Sequence, residues 1–207
     1  MKLALLSDTH GRHERIALPP HLDLVVHAGD FCRRGGEAET VRFLDWLASF
    51  DAPKLLVAGN HDRFAEAAPD AMRAHCHARG ITYLTHEATE LAGLRVFGSP
   101  FVPRFRDMAF NLDRGAPLAS AWRAIPDELD LLVTHGPPHG TLDRVVIGRH
   151  VGCEALRDAL RTRRVPLHVM GHIHEARGEA VVDGRRCLNV ANAGFLLGLR
   201  DAVVVEL

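Results

Sequence analysis

Five short segments bring together side chains whose types and spacing can do chemistry. They are Ser7-Asp8-Thr9-His10-Gly11, Ala28-Gly29-Asp30, Ala58-Gly59-Asn60-His61-Asp62, Thr134-His135-Gly136 and Met170-Gly171-His172-Ile173-His174. Their glycines allow sharp turns and close backbone approach. Asp8, His10, Asp30, Asn60, His135, His172 and His174 offer two carboxylates, four imidazoles and an amide, too many for one tetrahedral zinc site. The set suits two divalent cations sharing a carboxylate, and Asp30 is the candidate bridge. Two such ions balanced by Asp8, Asp30 and a hydroxide leave about one positive charge, enough to attract a phosphate oxyanion, polarise it and supply a nucleophile. Imidazole, carboxylate and amide ligation without sulfur favours Mn²⁺ or Fe, with Zn²⁺ next, over the all-oxygen sites of Mg²⁺ and Ca²⁺.

Each segment follows an apolar run. Residues 2–7, Leu24–Ala28, 55–58, 129–134 and 166–170 are almost continuously apolar, as strands covered on both faces are. Helical patterns lie between them at 37–50, 65–79 and 151–164, each with an apolar stripe. The stripe of 37–50 predicts core packing and nothing more. Shorter strands are expected at Ile81–Leu84, 88–91 and 94–97, with Gly93 offering a turn. Residues 176–182 and 185–190 flank Asp183-Gly184, a hairpin signal, and a last strand covers 202–207. The alternation predicts an α/β protein with sheet inside and helices outside. Open α/β sheets place ligands at strand carboxyl ends, so the five segments should converge. If the strands still extend there, Asp8 and His10 share one side, as do His172 and His174.

The chain has 207 residues, one domain's worth, and a formal charge of -1 from 25 Lys plus Arg against 26 Asp plus Glu. That balance, with basic clusters only at Arg33-Arg34 and 161–164, argues against a nucleic-acid-binding groove. Fourteen histidines stand beside nine Phe, two Trp and one Tyr. The N-terminal apolar run stops at Asp8, and those at 194–199 and 202–205 are also too short for a membrane span. Cys32, Cys76, Cys153 and Cys187 form no paired motif and read as buried, reduced thiols of a cytoplasmic protein. Residues 99–117, rich in Arg and aromatic side chains, predict a long surface loop and a candidate lid.

The blocks DTH, GD, GNHD, THG and GHIH, in this order from Asp8 to His174, closely resemble the calcineurin-like metallophosphoesterase superfamily. GSPFVPRF, WRAIP, THGPPHG, VGCEAL and GHIHEARG further resemble its branch of small metallophosphodiesterase-domain proteins. The resemblance implies a four-layer αββα sandwich of two packed mixed sheets in a single domain, 1–207. It implies one metal held by Asp8, His10, Asp30 and His174, and a second held by Asp30, Asn60, His135 and His172. His61 matches the histidine that contacts the phosphate and can protonate the leaving oxygen, and Arg34 matches a phosphate-contacting arginine. All seven ligand positions are filled, which favours retained catalysis over a non-catalytic interaction module. One departure stands out: Arg33 occupies the place where protein phosphatases have an aspartate that orients the catalytic histidine. His61 then needs another partner, and Asp62 is adjacent.

The expected function is hydrolysis of a small phosphodiester or cyclic nucleotide by a metal-activated hydroxide, with Asn60 and His61 catalytic. The alternative is a phosphomonoesterase acting on a nucleotide or protein, with a nuclease further behind. His139, shortly after His135, is a candidate substrate contact with Arg34 and His61; Arg104 and Arg106 are weaker ones. His13, His21, His75, His77, His86 and His150 read as surface or core residues, and His27 and His168 as core residues or supports for a ligand. Asn192 serves either a turn or a hydrogen bond near the site.

Overall fold

The computed structural model describes residues 1–194 and 198–207; the apolar stretch at 194–199 therefore lies partly outside the described residues. The chain runs β1 (Lys2–Leu6), β2 (Leu24–Ala28), α1 (Glu37–Ala48), β3 (Lys54–Val57), α2 (Arg63–Ala67), α3 (Pro69–His77) and β4 (Ile81–Leu84). A hairpin of β5 (Glu87–Leu91) and β6 (Leu94–Ser99) follows, then β7 (Val102–Pro103), β8 (Asn111–Leu112), α4 (Ala116–Trp122) and β9 (Leu131–Thr134). It ends with α5 (Glu154–Leu160), β10 (Leu167–Met170), β11 (Gly178–Val182), β12 (Arg185–Asn189) and β13 (Val203–Glu206).

Two mixed sheets form, ordered β13-β1-β2-β3-β4 and β11-β12-β10-β9-β6-β5. In the first, β1 to β4 are parallel and β13 runs antiparallel to β1. In the second, β12, β10, β9 and β6 are parallel and the outer strands β11 and β5 are antiparallel. Side-chain alternation explains the unbroken apolar runs. Leu3, Leu5 and Val26 point between the sheets, where they meet Leu131, Val133 and Val169. Ala4, Leu6 and Leu56 point the other way, under Phe43, Leu44 and Met72 of the helices. Leu132 and Phe97 likewise face Leu118, Trp122 and Leu156. Each sheet is thus buried on both faces, giving the four-layer αββα sandwich that the resemblance implied.

Differences from the sequence expectation have local causes. The helix expected over 65–79 is broken at Ala68 (φ -136°, ψ 64°), because Pro69 lacks an N–H and starts a new helix. The helix expected over 151–164 begins only after Cys153, whose Sγ accepts from the Leu156 N–H. Helix α4 was not foreseen; Gly115 followed by Pro117 in its first turn was the available signal. The 99–117 segment is anchored as well as exposed: β7 pairs with β8, and Ala109 and Phe110 join the core beneath α1 and α3. Both hairpin turns, Ala92-Gly93 and Asp183-Gly184, have two successive positive φ values, as tight hairpins require.

Candidate metal centre

All five motif segments leave the carboxyl ends of parallel strands, β1, β2 and β3 in one sheet and β9 and β10 in the other. They converge, but not by strand alternation. β1 stops at Leu6, and Asp8 (φ 55°), His10 (φ 44°), Asp30 (φ 58°) and His172 (φ 67°) adopt left-handed backbone conformations. This corrects the expectation of extended chain: the side-chain directions come from strained turns, which cost non-glycine residues energy and gather at functional sites. The loop after β1 lies along the loop after β2 instead. Asp8 N–H donates to Gly29 O (2.8 Å), His10 N–H to Asp30 O (3.0 Å) and Gly11 N–H to Phe31 O (2.8 Å). His172 and His174 consequently face different partners. A Cβ on Gly171 would lie 2.0 Å from Ser7 Oγ and 2.2 Å from Asp8 Oδ2, so the two sheets' tips meet there with no room for a side chain.

The ligand atoms of Asp8, His10 and His174 lie within 4.8 Å of one another, as do those of Asp30, His135 and His172, and those of His10, Asp30 and His61. His174 Nε2 is 3.1 Å from Asp8 Oδ1 and 3.3 Å from His10 Nε2. His135 Nε2 is 3.1 Å from Asn60 Oδ1. Asp30 stands between the groups, with Oδ2 3.9 Å from His10 Nε2 and Oδ1 3.4 Å from His135 Nε2. One oxygen thus faces each side, as a bridging carboxylate requires.

Whether this set fits cations follows from its hydrogen bonds. His135 Nδ1 donates to Ala28 O (2.8 Å), so a neutral His135 turns the lone pair of Nε2 toward two more acceptors, Asn60 Oδ1 and Asp30 Oδ1. His10 Nδ1 donates to Cys32 O (3.2 Å), which leaves its Nε2 lone pair facing His174 Nε2, whose single proton would have to serve both His10 and Asp8. Acceptors converging on acceptors need positive charge between them. Burial opposes a charge on His135, yet the Asp30 and Asp8 carboxylates outweigh it and raise its pKa to about 9. For Asp8 and Asp30 burial pushes upward, but the surrounding imidazoles hold both carboxyls well below the usual range. Burial lowers His172 to about 4, leaving it a neutral ligand. The residues present form a dinuclear metal-binding cluster, and the proton on His135 stands where a cation would.

Further side chains hold the cluster in place. Asp62, adjacent to His61, does not orient it. Its buried carboxylate accepts from the backbone N–H groups of Asp30 (2.9 Å), Cys32 (2.9 Å) and Gly59 (2.7 Å), stitching the loops after β2 and β3 together. His61 Nδ1 donates to the carbonyl of Arg33 (3.3 Å), the residue standing in place of the phosphatase aspartate, and its N–H donates to Asp30 Oδ1 (2.8 Å). Asn192 Oδ1 accepts from Ser7 N–H (3.0 Å) beside Asp8. Two buried histidines bond threonines that flank ligands: His27 to Thr9 (3.1 Å) and His168 to Thr134 (2.8 Å). The role of Asp62 escaped sequence reasoning because a carboxylate gripping distant backbone N–H groups leaves no local pattern, whereas the hydrogen bond of Asn192 is one of the two roles expected for it.

The remaining candidates lie further out. Arg34 is exposed. His139 stands outside the three groups, half-buried, with its ring 5.5 Å from that of His150. Arg104 pairs with Asp113, and Arg106 lies over Phe105. His13 packs between Phe43 and Trp46, His86 bonds Ser99 and Ala121 O, and His150 pairs with Asp143.

Two mixed sheets with ligands at facing strand ends define a phosphoesterase-type active site in a four-layer α/β sandwich. The comparisons agree. Residues 1–176 match the family described as calcineurin-like phosphoesterase, and the chain belongs to that family. It is 35% identical over 207 residues to human metallophosphoesterase domain-containing protein 1, covering 88% of this chain and 63% of that one. It thus spans less than two thirds of that relative's length. It is 25% identical over 169 residues to a probable cyclic nucleotide phosphodiesterase of Synechococcus, covering 74% of this chain and 58% of that one. Among solved structures, the phosphopantetheinyl hydrolase of Mycobacterium tuberculosis superposes with a TM-score of 0.66 at 17% identity, over 92% of this chain and 88% of that one. Among the described residues, no helix is long and apolar enough to cross a membrane.

Proposed function

We propose that the chain hydrolyses phosphoesters in a single displacement step and that its substrates are small phosphodiesters, cyclic nucleotides among them. The observation that carries this reading is Asp30, whose two oxygens face two separate imidazole groups across one buried centre. Asp8, His10, Asp30 and His174 would hold one cation, and Asp30, Asn60, His135 and His172 the other. Mn²⁺ or Fe is favoured by the sulfur-free mixed donor set, with Zn²⁺ next. Bound there, the ions supply Lewis acidity toward phosphoryl oxygens and lower the pKa of water.

The chain's own groups do the rest. His61, held through Nδ1 by the Arg33 carbonyl, leaves Nε2 for the substrate and serves the leaving oxygen as acid or hydrogen-bond donor. The Asn60 amide, with Oδ1 3.1 Å from His135 Nε2, steadies the second ligand group and the charge on the phosphoryl oxygens. Arg34, with a fork of donors, suits a non-reacting phosphoryl oxygen. His139, at the rim beyond His135, is a weaker substrate contact. The four cysteines are buried and unpaired, which accords with a reducing, cytoplasmic setting.

The name of the cyanobacterial relative favours the diester reading. The alternative, a monoesterase, would use the same ligands. Manganese-loaded protein assayed against matched aryl phosphate monoesters and diesters, then cyclic nucleotides, separates them. Faster diester turnover is expected; much faster monoester turnover would overturn the diester reading, and no metal-dependent turnover of either would overturn hydrolysis. The variant His61→Ala is expected to lose about 10²–10⁴-fold in kcat while keeping its bound metal.

A further inference from the structure

Beside His61 lies a concavity of about 430 Å³ lined by Arg33, Arg34, Gly36, Ala38, Glu39 and Arg42. Its charge is lopsided: three guanidinium groups face one carboxylate. That carboxylate is already engaged, since Glu39 accepts from the backbone N–H groups of Arg33 (2.6 Å), Arg34 (2.9 Å) and Gly35 (3.1 Å). The guanidinium groups of Arg33 and Arg34 form no hydrogen bond or ion pair with the described residues, and Arg42 is exposed and near Glu39.

The loop is also held firmly against the site. Gly35 has φ +78°, and a Cβ there would lie 2.3 Å from His61 O. Phe64 N–H donates to Gly35 O (2.8 Å), and the Arg33 carbonyl receives His61 Nδ1. A Cβ on Gly11, next to His10, would touch Glu39 Oε1 at 2.9 Å, so the loop after β1 abuts the same wall. Helix α1 opens here at Gly36 with no side-chain cap.

We infer that this concavity is a subsite for a second anionic group, and that Arg33 and Arg42 select substrates carrying a second phosphate near the reacting phosphoryl group. This rests on the hydrolase reading above and names the substrate class within it: phosphodiesters with a further phosphate on the arm that lies toward His61. A neutral arm leaves the guanidinium groups in water and gains nothing from them. A dianionic arm forms charge-assisted hydrogen bonds with both.

The test uses binding, so it does not depend on turnover. Calorimetry compares propane-1,3-diyl bisphosphate with propyl phosphate on the metal-loaded chain, on Arg33→Ala/Arg42→Ala and on Arg33→Lys/Arg42→Lys. The wild-type chain is expected to favour the bisphosphate by about tenfold or more, equivalent to about 1.4 kcal/mol. The alanine pair should bring that ratio close to unity, and the lysine pair should keep part of it. Equal affinity for both compounds in the wild type, or an undiminished ratio in the alanine pair, would overturn the subsite. Loss of ester hydrolysis with the ratio intact would instead count against the hydrolase reading alone.

Discussion

Asp62 shows how much of this site depends on a side chain that touches no ligand atom directly. Its two oxygens take three backbone N–H groups from the turns that carry Asp30 and Asn60. Asp62→Ala orphans those buried donors, at about 1–3 kcal/mol each. Asp62→Asn is expected to fare little better, because one end of the amide would present N–H to an N–H. Both variants should melt at lower temperature and carry fewer than two metal equivalents by elemental analysis. Wild-type metal content in Asp62→Ala would show that the turns hold without it. The sequence made the ligands legible because each of the five segments that carry them follows an apolar run and contains a glycine. It could not show that the Arg33 carbonyl, rather than any side chain, receives His61 Nδ1.

The loops that leave the strands determine the site more than the strands themselves. Apolar continuity identified β1, β2, β9 and β10, because burial on both faces leaves few polar positions to break the run, His27 and His168 being the buried exceptions. It could not show where extension ends. Asp8, His10, Asp30 and His172 take positive φ, and their directions depend on hydrogen bonds between loops far apart in sequence. Proline broke the helix expected over 65–79, a signal present in the sequence but outweighed by the apolar periodicity around it. Among the glycines, the closest approach between elements is at Gly171, after β10. Gly171→Ala would drive a methyl group into Ser7 and Asp8. Overpacking of that kind costs about 1–3 kcal/mol. It is expected to lower both the melting temperature and metal affinity, whereas Gly184→Ala, with open space around its Cβ, should leave metal affinity unchanged. Equal metal affinity in the two variants would remove the argument for close approach.

Across the molecule, two buried histidines make stability sensitive to acid. Burial lowers His27 and His168 to about 3, below the ordinary value of 6.5. Both are therefore neutral when folded and accept a proton near pH 6.5 when unfolded. Between pH 6.5 and about 3 the unfolded chain binds more protons, so stability is full above that window and falls as pH drops through it. Each histidine contributes a slope of about 1.4 kcal/mol per pH unit there. Urea unfolding of the wild type and His168→Gln between pH 7 and pH 4.5 should give a shallower decline for the variant. Parallel curves would mean that His168 is not the source. Thr134 Oγ1 donates to Gly136 O (2.7 Å), so His168 must donate through Nε2, and its Nδ1 is buried without a partner. Glutamine can keep the first interaction while losing the titration. The four-layer arrangement followed from the sequence's resemblance; the price of enclosing these rings in it became visible only with the layers assembled.

The left-handed turns at Asp8, His10, Asp30 and His172 set folding and binding at odds. At each position the backbone would relax with glycine, while the metal demands a carboxylate or an imidazole. His172→Gly is therefore expected to relieve the backbone at that turn while weakening metal binding, so that its effect on the melting temperature should be smaller without added metal than with it.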